Sequence, residues 1–119
     1  MWIVVTGGRN FADAKLVDET LTACGPTVVV QGGCTGADEL ARLWAKRNVI
    51  PCLTVWADWD RLGKSAGPRR NTAMLNLALR SAGANGVRVV AFPGNAGTAH
   101  CCEQAESKGL KVIRVGWTA

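Results

Sequence analysis

The chain has 119 residues and a formal net charge of +5, with 48% hydrophobic and 19% charged residues. This length and composition predict one globular domain over residues 1–119, without room for a second core. No apolar run approaches the roughly 20 residues of a membrane span, and residues 1–5 lack the basic and apolar regions of a signal peptide, so we expect no membrane partner and a cytoplasmic protein. The positive charge suits anionic ligands, and simple solubility explains it equally well.

The cysteines indicate reduced thiols and no metal site. The chain has one histidine, His100, and five cysteines, none of them in a C-x-x-C pair. A structural zinc site needs four suitably spaced ligands, which this sequence does not offer. Cys34 is the one candidate for a reactive thiol, because a helix N-terminus favours the thiolate, but no base accompanies it.

The chain begins with a strand and a helix. Residues 2–6 are apolar and β-branched, which predicts a strand that ends at Gly7-Gly8-Arg9. Asp13 is a plausible N-cap for a first helix, and Gly25-Pro26 ends it. Residues 27–30 form the second predicted strand.

The second helix follows a glycine-rich turn. Apolar residues from Ala37 to Ala45 recur at i, i+3, i+4, i+7 and i+8, which is the pattern of an amphipathic helix. Residues 49–55 predict a third strand at an edge of the sheet, since Pro51 is tolerated there. We expect residues 56–67 to be irregular.

The last third of the chain repeats the alternation. Pro68 fits the first position of a third helix, with Met74, Leu77, Ala78 and Ser81 along one side. After a turn at residues 81–86, the remaining elements are a fourth strand (87–92), a fourth helix (96–108), a fifth strand (110–115) and a tail (116–119).

Five mostly apolar strands that alternate with four helices predict a parallel sheet covered on both faces. We expect a Rossmann-like three-layer αβα domain with strand order 3-2-1-4-5. In that order the first and fourth strands are neighbours at the switch point, where ligands bind. The turns 7–9 and 93–98 would then face each other, with residues 32–38 beside them.

These glycine-rich turns indicate a phosphate site. Glycines allow close approach of an anion to the first N–H groups of a helix. Two common nucleotide motifs are nevertheless absent. Neither residues 32–36 nor 94–97 complete G-x-G-x-x-G, and Gly63-Lys64-Ser65 lacks the first glycine of a P-loop because Asp58 stands there.

Taken together, several segments resemble the YspA- and YpsA-related branch of the SLOG superfamily. They are Val4-Val5-Thr6-Gly7-Gly8-Arg9, residues 31–38, Ala57-Asp58-Trp59-Asp60, Gly67-Pro68-Arg69-Arg70-Asn71 and residues 92–98. The resemblance spans nearly the whole chain. It implies a Rossmann-like fold and a nucleotide or an NAD- or ADP-ribose-derived ligand, and for this branch no established reaction.

Phosphoribohydrolases of the same superfamily carry a P-G-G-x-G-T turn, a catalytic Arg in R-x-x-x-M, and acidic residues after the Thr. Here Arg70 and Met74 match the second pattern, but Asn95 replaces a glycine. His100 and Cys101 stand where the acids would be. Glu103 is the nearest acidic residue that could replace them. At i+5 from Thr98, however, it lies on a different face of an ideal helix.

We therefore expect a protein that binds a nucleotide-derived molecule, without a separate cofactor. An N-glycosidase is the alternative, and single-stranded nucleic acid binding by Arg61, Lys64, Arg69 and Arg70 with Trp56 and Trp59 is a weaker one. The tryptophans also suggest a homo-oligomer. The predicted ligand-binding residues are Gly7, Gly8, Arg9, Gly32, Gly33, Gly36, Ala37, Asp38, Arg70, Asn71, Gly94, Asn95, Gly97 and Thr98.

Overall fold

A computed structural model, which describes residues 1–117, confirms the predicted sheet. Its five strands are Trp2–Thr6 (β1), Val28–Gln31 (β2), Cys52–Thr54 (β3), Val87–Ala91 (β4) and Lys111–Arg114 (β5). All neighbours pair in parallel in the order β3-β2-β1-β4-β5. Of the predicted tail, residues 118–119 lie outside the described residues, while the indole Nε1 of Trp117 donates to the carbonyl of Ala91 at 2.8 Å.

Helices cover both faces of the sheet, which gives the predicted three layers. They are Ala14–Cys24 (α1), Ala37–Arg47 (α2), Trp59–Leu62 (α3), Ala66–Ala82 (α4) and Ala96–Ser107 (α5). Alternate residues of β1 point to opposite faces, as the period of a strand requires. Ile3 and Val5 pack against α1 and α2, and Val4 packs against α4 and α5.

The helix ends follow local sequence signals. The Asp13 carboxylate accepts from the N–H of Leu16 at 3.0 Å, which confirms the predicted N-cap of α1. Gly25 ends that helix with φ of 57°, a left-handed conformation that glycine adopts at low cost.

The prediction that residues 56–67 are irregular is correct for residues 56–58 and wrong for residues 59–67. Asp58 caps α3, where its carboxylate accepts from the N–H of Arg61 at 3.2 Å, and a 3₁₀ turn at Gly63–Ser65 leads directly into α4. Because α4 begins at Ala66, Pro68 is its third residue and not its first. A proline is tolerated there because first-turn N–H groups have no intrahelical partner.

Smaller differences concern α4 and β3. Leu75 is buried in α4, whereas Ser81, which the sequence placed on the same side as Met74, is exposed and donates to the carbonyl of Leu77. The helix continues to Ala82 and is followed by a 3₁₀ turn at Ala84–Gly86. The third strand is shorter than expected, and its predicted first residue, Val49, has a φ of 55°, outside the range of strand residues.

The turns after β1, β2 and β4 are fastened together at Gly8. Its N–H donates to the carbonyl of Pro93 at 2.8 Å, and its own carbonyl accepts from the N–H of Ala37 at 3.2 Å. Gly36, with φ of 77°, lies directly against this carbonyl, and a Cβ there would collide with Gly8 and Arg9. The first residue of α2 is thereby held against the turn after β1.

We expect Gly36→Ala to lower the free energy of unfolding by more than the roughly 1–3 kcal/mol of a strained backbone alone, because the new methyl group also meets Gly8. Urea denaturation measures the loss. Gly63→Ala is the matched control, since Gly63 has similar backbone angles (φ 56° and ψ −134°, against φ 77° and ψ −128° at Gly36) but nothing within 4 Å of its Cβ position. Equal losses in the two variants would contradict a tight joint at Gly8.

Candidate functional site

A cleft of about 950 Å³ opens at the carboxyl ends of β1 and β4. These strands are neighbours, so the cleft lies at the switch point where ligands of doubly wound folds bind. Ten predicted ligand-binding residues line it. They are Gly7, Gly8, Arg9, Asp38, Arg70, Asn71, Gly94, Asn95, Gly97 and Thr98.

The other four predicted residues, Gly32, Gly33, Gly36 and Ala37, are absent from the lining of this cleft. A Cβ on Gly32 would collide with the Arg70 guanidinium, and one on Gly33 would sit 2.6 Å from the Trp56 ring. Ala37 is fully buried. The second glycine-rich turn thus forms part of the scaffold, and direct ligand contact by these four residues stays a prediction.

The N-terminus of α5 faces the cleft without a side-chain cap. Asn95 occupies the N-cap position, and its side chain makes no capping hydrogen bond. Ala96 and Gly97 of the first turn line the cleft. First-turn N–H groups lack intrahelical partners and carry the positive end of the helix dipole, so this end suits an anion.

Gly94 and Thr98 form a tight turn behind this helix end. Thr98 is buried, and a Cβ on Gly94 would collide with its Oγ1 and lie 2.8 Å from the Gly8 nitrogen. Gly97 differs, because nothing lies within 4 Å of its Cβ position. The protein therefore leaves open space beside Gly97.

Arg70 is held in place by the protein itself. Its Nη1 donates to the Gly32 carbonyl at 2.6 Å, and its Nε donates to Asn71 Oδ1 at 3.1 Å. The same Nη1 lies 3.7 Å from Cys34 Sγ. A guanidinium fixed in this way needs little rearrangement to meet an anion, although two of its three nitrogens already have protein partners.

Asp38 brings a carboxyl group into the same cleft. It is only 6% exposed, and its Oδ2 accepts from the N–H of Cys34 at 3.2 Å. Burial raises the pKa of Asp38 above its usual range, and the hydrogen bond from Cys34 and the charge of Arg70 offset this effect in part. Ionisation of Asp38 is thus costly in the folded protein.

Aromatic groups close one side of the cleft. The Arg9 guanidinium lies 5.2 Å from the Trp59 ring centroid, within the range of a cation–π contact. Phe11, another lining residue, stacks on Phe92 with ring centroids 5.4 Å apart. Trp59 is 44% exposed and covers Gly67. Trp56 lies elsewhere, in a smaller pocket of about 210 Å³ next to Gly33.

His100, to which the sequence assigned no role, is a lining residue of the cleft. Its Nδ1 lies 3.3 Å from Asn71 Nδ2. Phe11 and Pro68 were also missed as lining residues. The i+4 spacing of Ala96 and His100 on one helix face is the signal that could have located His100.

Two of the four basic residues of the alternative nucleic acid surface, Arg61 and Arg70, have partners within the protein. Arg70 turns inward to Gly32, and Arg61 lies 3.6 Å from the Asp58 carboxylate. Trp56 and Trp59 line different pockets.

No helix within residues 1–117 is long and apolar enough to cross a membrane. All five cysteines lie in the described part of the chain and none is paired.

The parallel sheet, its strand order and the cleft at the switch point define a Rossmann-like α/β protein. Residues 1–62 match the YAcAr family, that is, the YspA, cpYpsA-related SLOG family. The chain is also 35% identical to the Gene 61 protein of Mycobacterium phage D29, an alignment that covers 96% of this chain and 95% of that protein. This chain therefore belongs to the YspA, cpYpsA-related SLOG family.

Two solved structures share the fold. The X-ray structure of TM1055 superposes with a TM-score of 0.69 at 21% identity, covering 94% of this chain and 72% of TM1055. The DNA processing protein A (DprA) of Streptococcus pneumoniae superposes with a TM-score of 0.58 at 19% identity over 93% of this chain. This chain spans 57% of the DprA chain, and at such identities the likeness concerns the fold.

The raised pKa of Asp38 predicts a characteristic pH dependence of stability. Above the ordinary value of 3.8 and up to the raised one, the folded protein binds more protons at Asp38 than the unfolded chain. Stability from this group therefore falls as the pH rises. We expect the unfolding free energy of the wild type, minus that of Asp38→Asn, to decrease between about pH 4 and pH 7.

Urea denaturation at several pH values measures this difference, in which the other carboxylates cancel. Asp18→Asn is a suitable control, because Asp18 is a surface residue that pairs with Arg47. A difference for Asp38→Asn that stays constant or increases with pH would contradict the buried carboxyl group.

Proposed function

We propose that this protein binds a nucleotide or an NAD- or ADP-ribose-derived small molecule in the cleft, and so senses, carries or sequesters it. Membership of the SLOG family suggests a nucleotide-related role of this kind. The observation that carries the proposal is the uncapped N-terminus of α5, which faces open space at Gly97 and shares the cleft with Arg70.

The polar end of the cleft suits a phosphate. First-turn N–H groups of a helix supply directed donors, and the helix dipole favours negative charge. Arg70 adds a fixed positive charge, and the hydrogen bond to Gly32 keeps its guanidinium from turning away into solvent. The tight contact of Gly94 with Thr98 and Gly8 holds the turn in the shape that exposes these donors.

The aromatic end suits a base or a ribose. Trp59 and Phe11 offer flat apolar surfaces, and Asp38 offers carboxyl oxygens that accept hydrogen bonds from hydroxyl groups. The cleft volume of about 950 Å³ lies at the upper end of the range of about 300–1,000 Å³ for small-molecule sites. A molecule larger than phosphate alone therefore fits this cleft.

A small molecule accounts for the arrangement better than nucleic acid does. The structural neighbour DprA is described as a DNA processing protein, and it shares the fold at 19% identity. A single-strand site would need a continuous basic groove with aromatic platforms. In this chain Arg61 is paired with Asp58, and Arg70 points inward.

Homo-oligomerisation through exposed tryptophans such as Trp56, which is 73% exposed, is a separate proposal that sedimentation of the purified protein tests.

A second candidate function, hydrolysis of an N-glycosidic bond, is favoured by Asp38. The positions two and three past Thr98 are not acids. Asp38 of α2 instead places a carboxyl group in the cleft that Arg70 also lines. A carboxyl group whose pKa is raised by burial is a suitable general acid. Glu103 is exposed and is not among the lining residues.

Long incubation of the protein with nucleoside monophosphates and NAD, followed by chromatography, separates the two candidates. Release of base by the wild type and its loss in Asp38→Asn would establish hydrolysis. Intact substrates together with measurable binding leave the binding function alone.

Gly97→Ala tests the binding site without disturbing the fold. The new methyl group meets no protein atom within 4 Å, and alanine is roughly 0.5–1 kcal/mol better than glycine inside a helix, so we expect unchanged or higher stability. Because Gly97 lines the cleft, we expect the methyl group to crowd a ligand at this helix end and the affinity to fall at least about tenfold.

Isothermal titration calorimetry with AMP, ADP-ribose and NAD measures the affinity, and thermal unfolding measures stability. Ala99→Ser is the matched control, because Ala99 is an exposed residue of the same helix that does not line the cleft. Equal affinity of Gly97→Ala and the wild type would refute a ligand at this helix end, and no heat from any of the three compounds would refute the proposed function.

A further inference from the structure

We propose that His100 is a specificity residue that contacts the ligand. Asn71 holds its imidazole as the neutral tautomer with the proton on Nε2. This Nε2–H group donates a hydrogen bond to a phosphoryl oxygen at the N-terminus of α5. This inference rests on the proposed function, because it deepens the description of the same cleft. It assigns a role to the position at which the sequence departs from the hydrolase pattern.

The orientation of the Asn71 amide is fixed by two neighbours. Its Oδ1 accepts from Arg70 Nε at 3.1 Å, and its Nδ2 donates to the Gly97 carbonyl at 3.2 Å. An exchange of the amide oxygen and nitrogen would set donor against donor at Arg70 and acceptor against acceptor at Gly97. Asn71 is 4% exposed, so water does not easily replace either partner.

The orientation of Asn71 determines the tautomer of His100. Asn71 Nδ2 lies 3.3 Å from His100 Nδ1, and an amide nitrogen is only a donor. The imidazole Nδ1 must therefore accept, which leaves the ring proton on Nε2. Gly32 thus orients the Arg70 guanidinium, Arg70 orients the Asn71 amide, and the amide determines the tautomer of His100.

The position of His100 on α5 brings its ring near the anion site. His100 follows Ala96 by four residues and Gly97 by three, so it lies above the first turn on the same helix face. Helical side chains lean toward the N-terminus, which is the direction of the free N–H groups. All three residues line the cleft, whereas Ala99 between them does not.

The chemistry of this arrangement selects an acceptor. The first-turn N–H groups, Arg70 and the Nε2–H of His100 are all donors, so a group rich in acceptor oxygens satisfies them together. A phosphate monoester presents three such oxygens. Arg70 already supplies one full positive charge. The neutral ring adds a directed hydrogen bond without adding a second charge.

Imidazole NMR tests the tautomer in the free protein. His100 is the only histidine of the chain, so every imidazole signal belongs to it. We expect the ¹⁵N spectrum to show an unprotonated Nδ1 and a protonated Nε2. Asn71→Asp replaces the donor with an acceptor and is expected to place a proton on Nδ1. A wild-type ring with the proton on Nδ1, or an even mixture of tautomers, would overturn the inference.

Calorimetry with AMP and inorganic phosphate tests the contact. His100→Leu is expected to lose roughly 10- to 100-fold in affinity, the factor of a hydrogen bond to a charged group. His100→Gln, which keeps a terminal N–H donor, is expected to recover part of it. Circular dichroism establishes that both variants fold.

The two failures are distinguishable. If the wild type binds AMP and His100→Leu binds it equally well, the inference is overturned and the proposed function stands. If the wild type binds neither AMP, ADP-ribose, NAD nor phosphate, the proposed function fails, and the ligand contact of His100 fails with it even where the NMR tautomer is as expected.

Discussion

The close approach of three turns at Gly8 is the constraint on which the rest of the site depends. Through its N–H and its carbonyl, Gly8 joins Pro93 after β4 to the first residue of α2 after β2. Parallel neighbouring strands bring these turns to one edge of the sheet, but only glycines allow the backbones to touch. The collisions that a Cβ would cause at Gly7, Gly36 and Gly94 measure how close this contact is.

The two helix N-termini at this edge consequently have different roles. The N-terminus of α2 is occupied by the protein, since Ala37 donates to Gly8, and Asp38 and Glu39 place negative charge in its first turn. The N-terminus of α5 has neither a side-chain cap nor an acidic residue in its first turn. A glycine-rich sequence before a helix thus serves packing in one case and leaves the helix end uncapped and open to the cleft in the other.

This difference shows how far the sequence alone leads. The sequence predicts three features: the apolar strands, the order 3-2-1-4-5, and the cleft between the turns after β1 and β4. These could be predicted because burial on both faces and right-handed crossovers leave few arrangements of the strands. The sequence could not separate Gly32, which packs on Arg70, from Gly97, which faces open space, since both are glycines in similar turns. It also missed α3, which at four residues is too short for a periodic pattern.

Side-chain direction was equally inaccessible, and it decides the chemistry. The sequence predicts Arg70 as a ligand-binding residue but not that Gly32 and Asn71 hold two of its nitrogens. His100 and Cys101 replace the acids of the hydrolase pattern with different results. Cys101 is buried, and burial raises the pKa of its thiol to about 12, so it supplies no acid or base near neutral pH. His100 instead reaches the cleft with a defined donor. An arrangement of donors around an open helix end, with one carboxyl group that resists ionisation, stabilises a bound phosphate more directly than it stabilises the positive charge that develops when a glycosidic bond breaks.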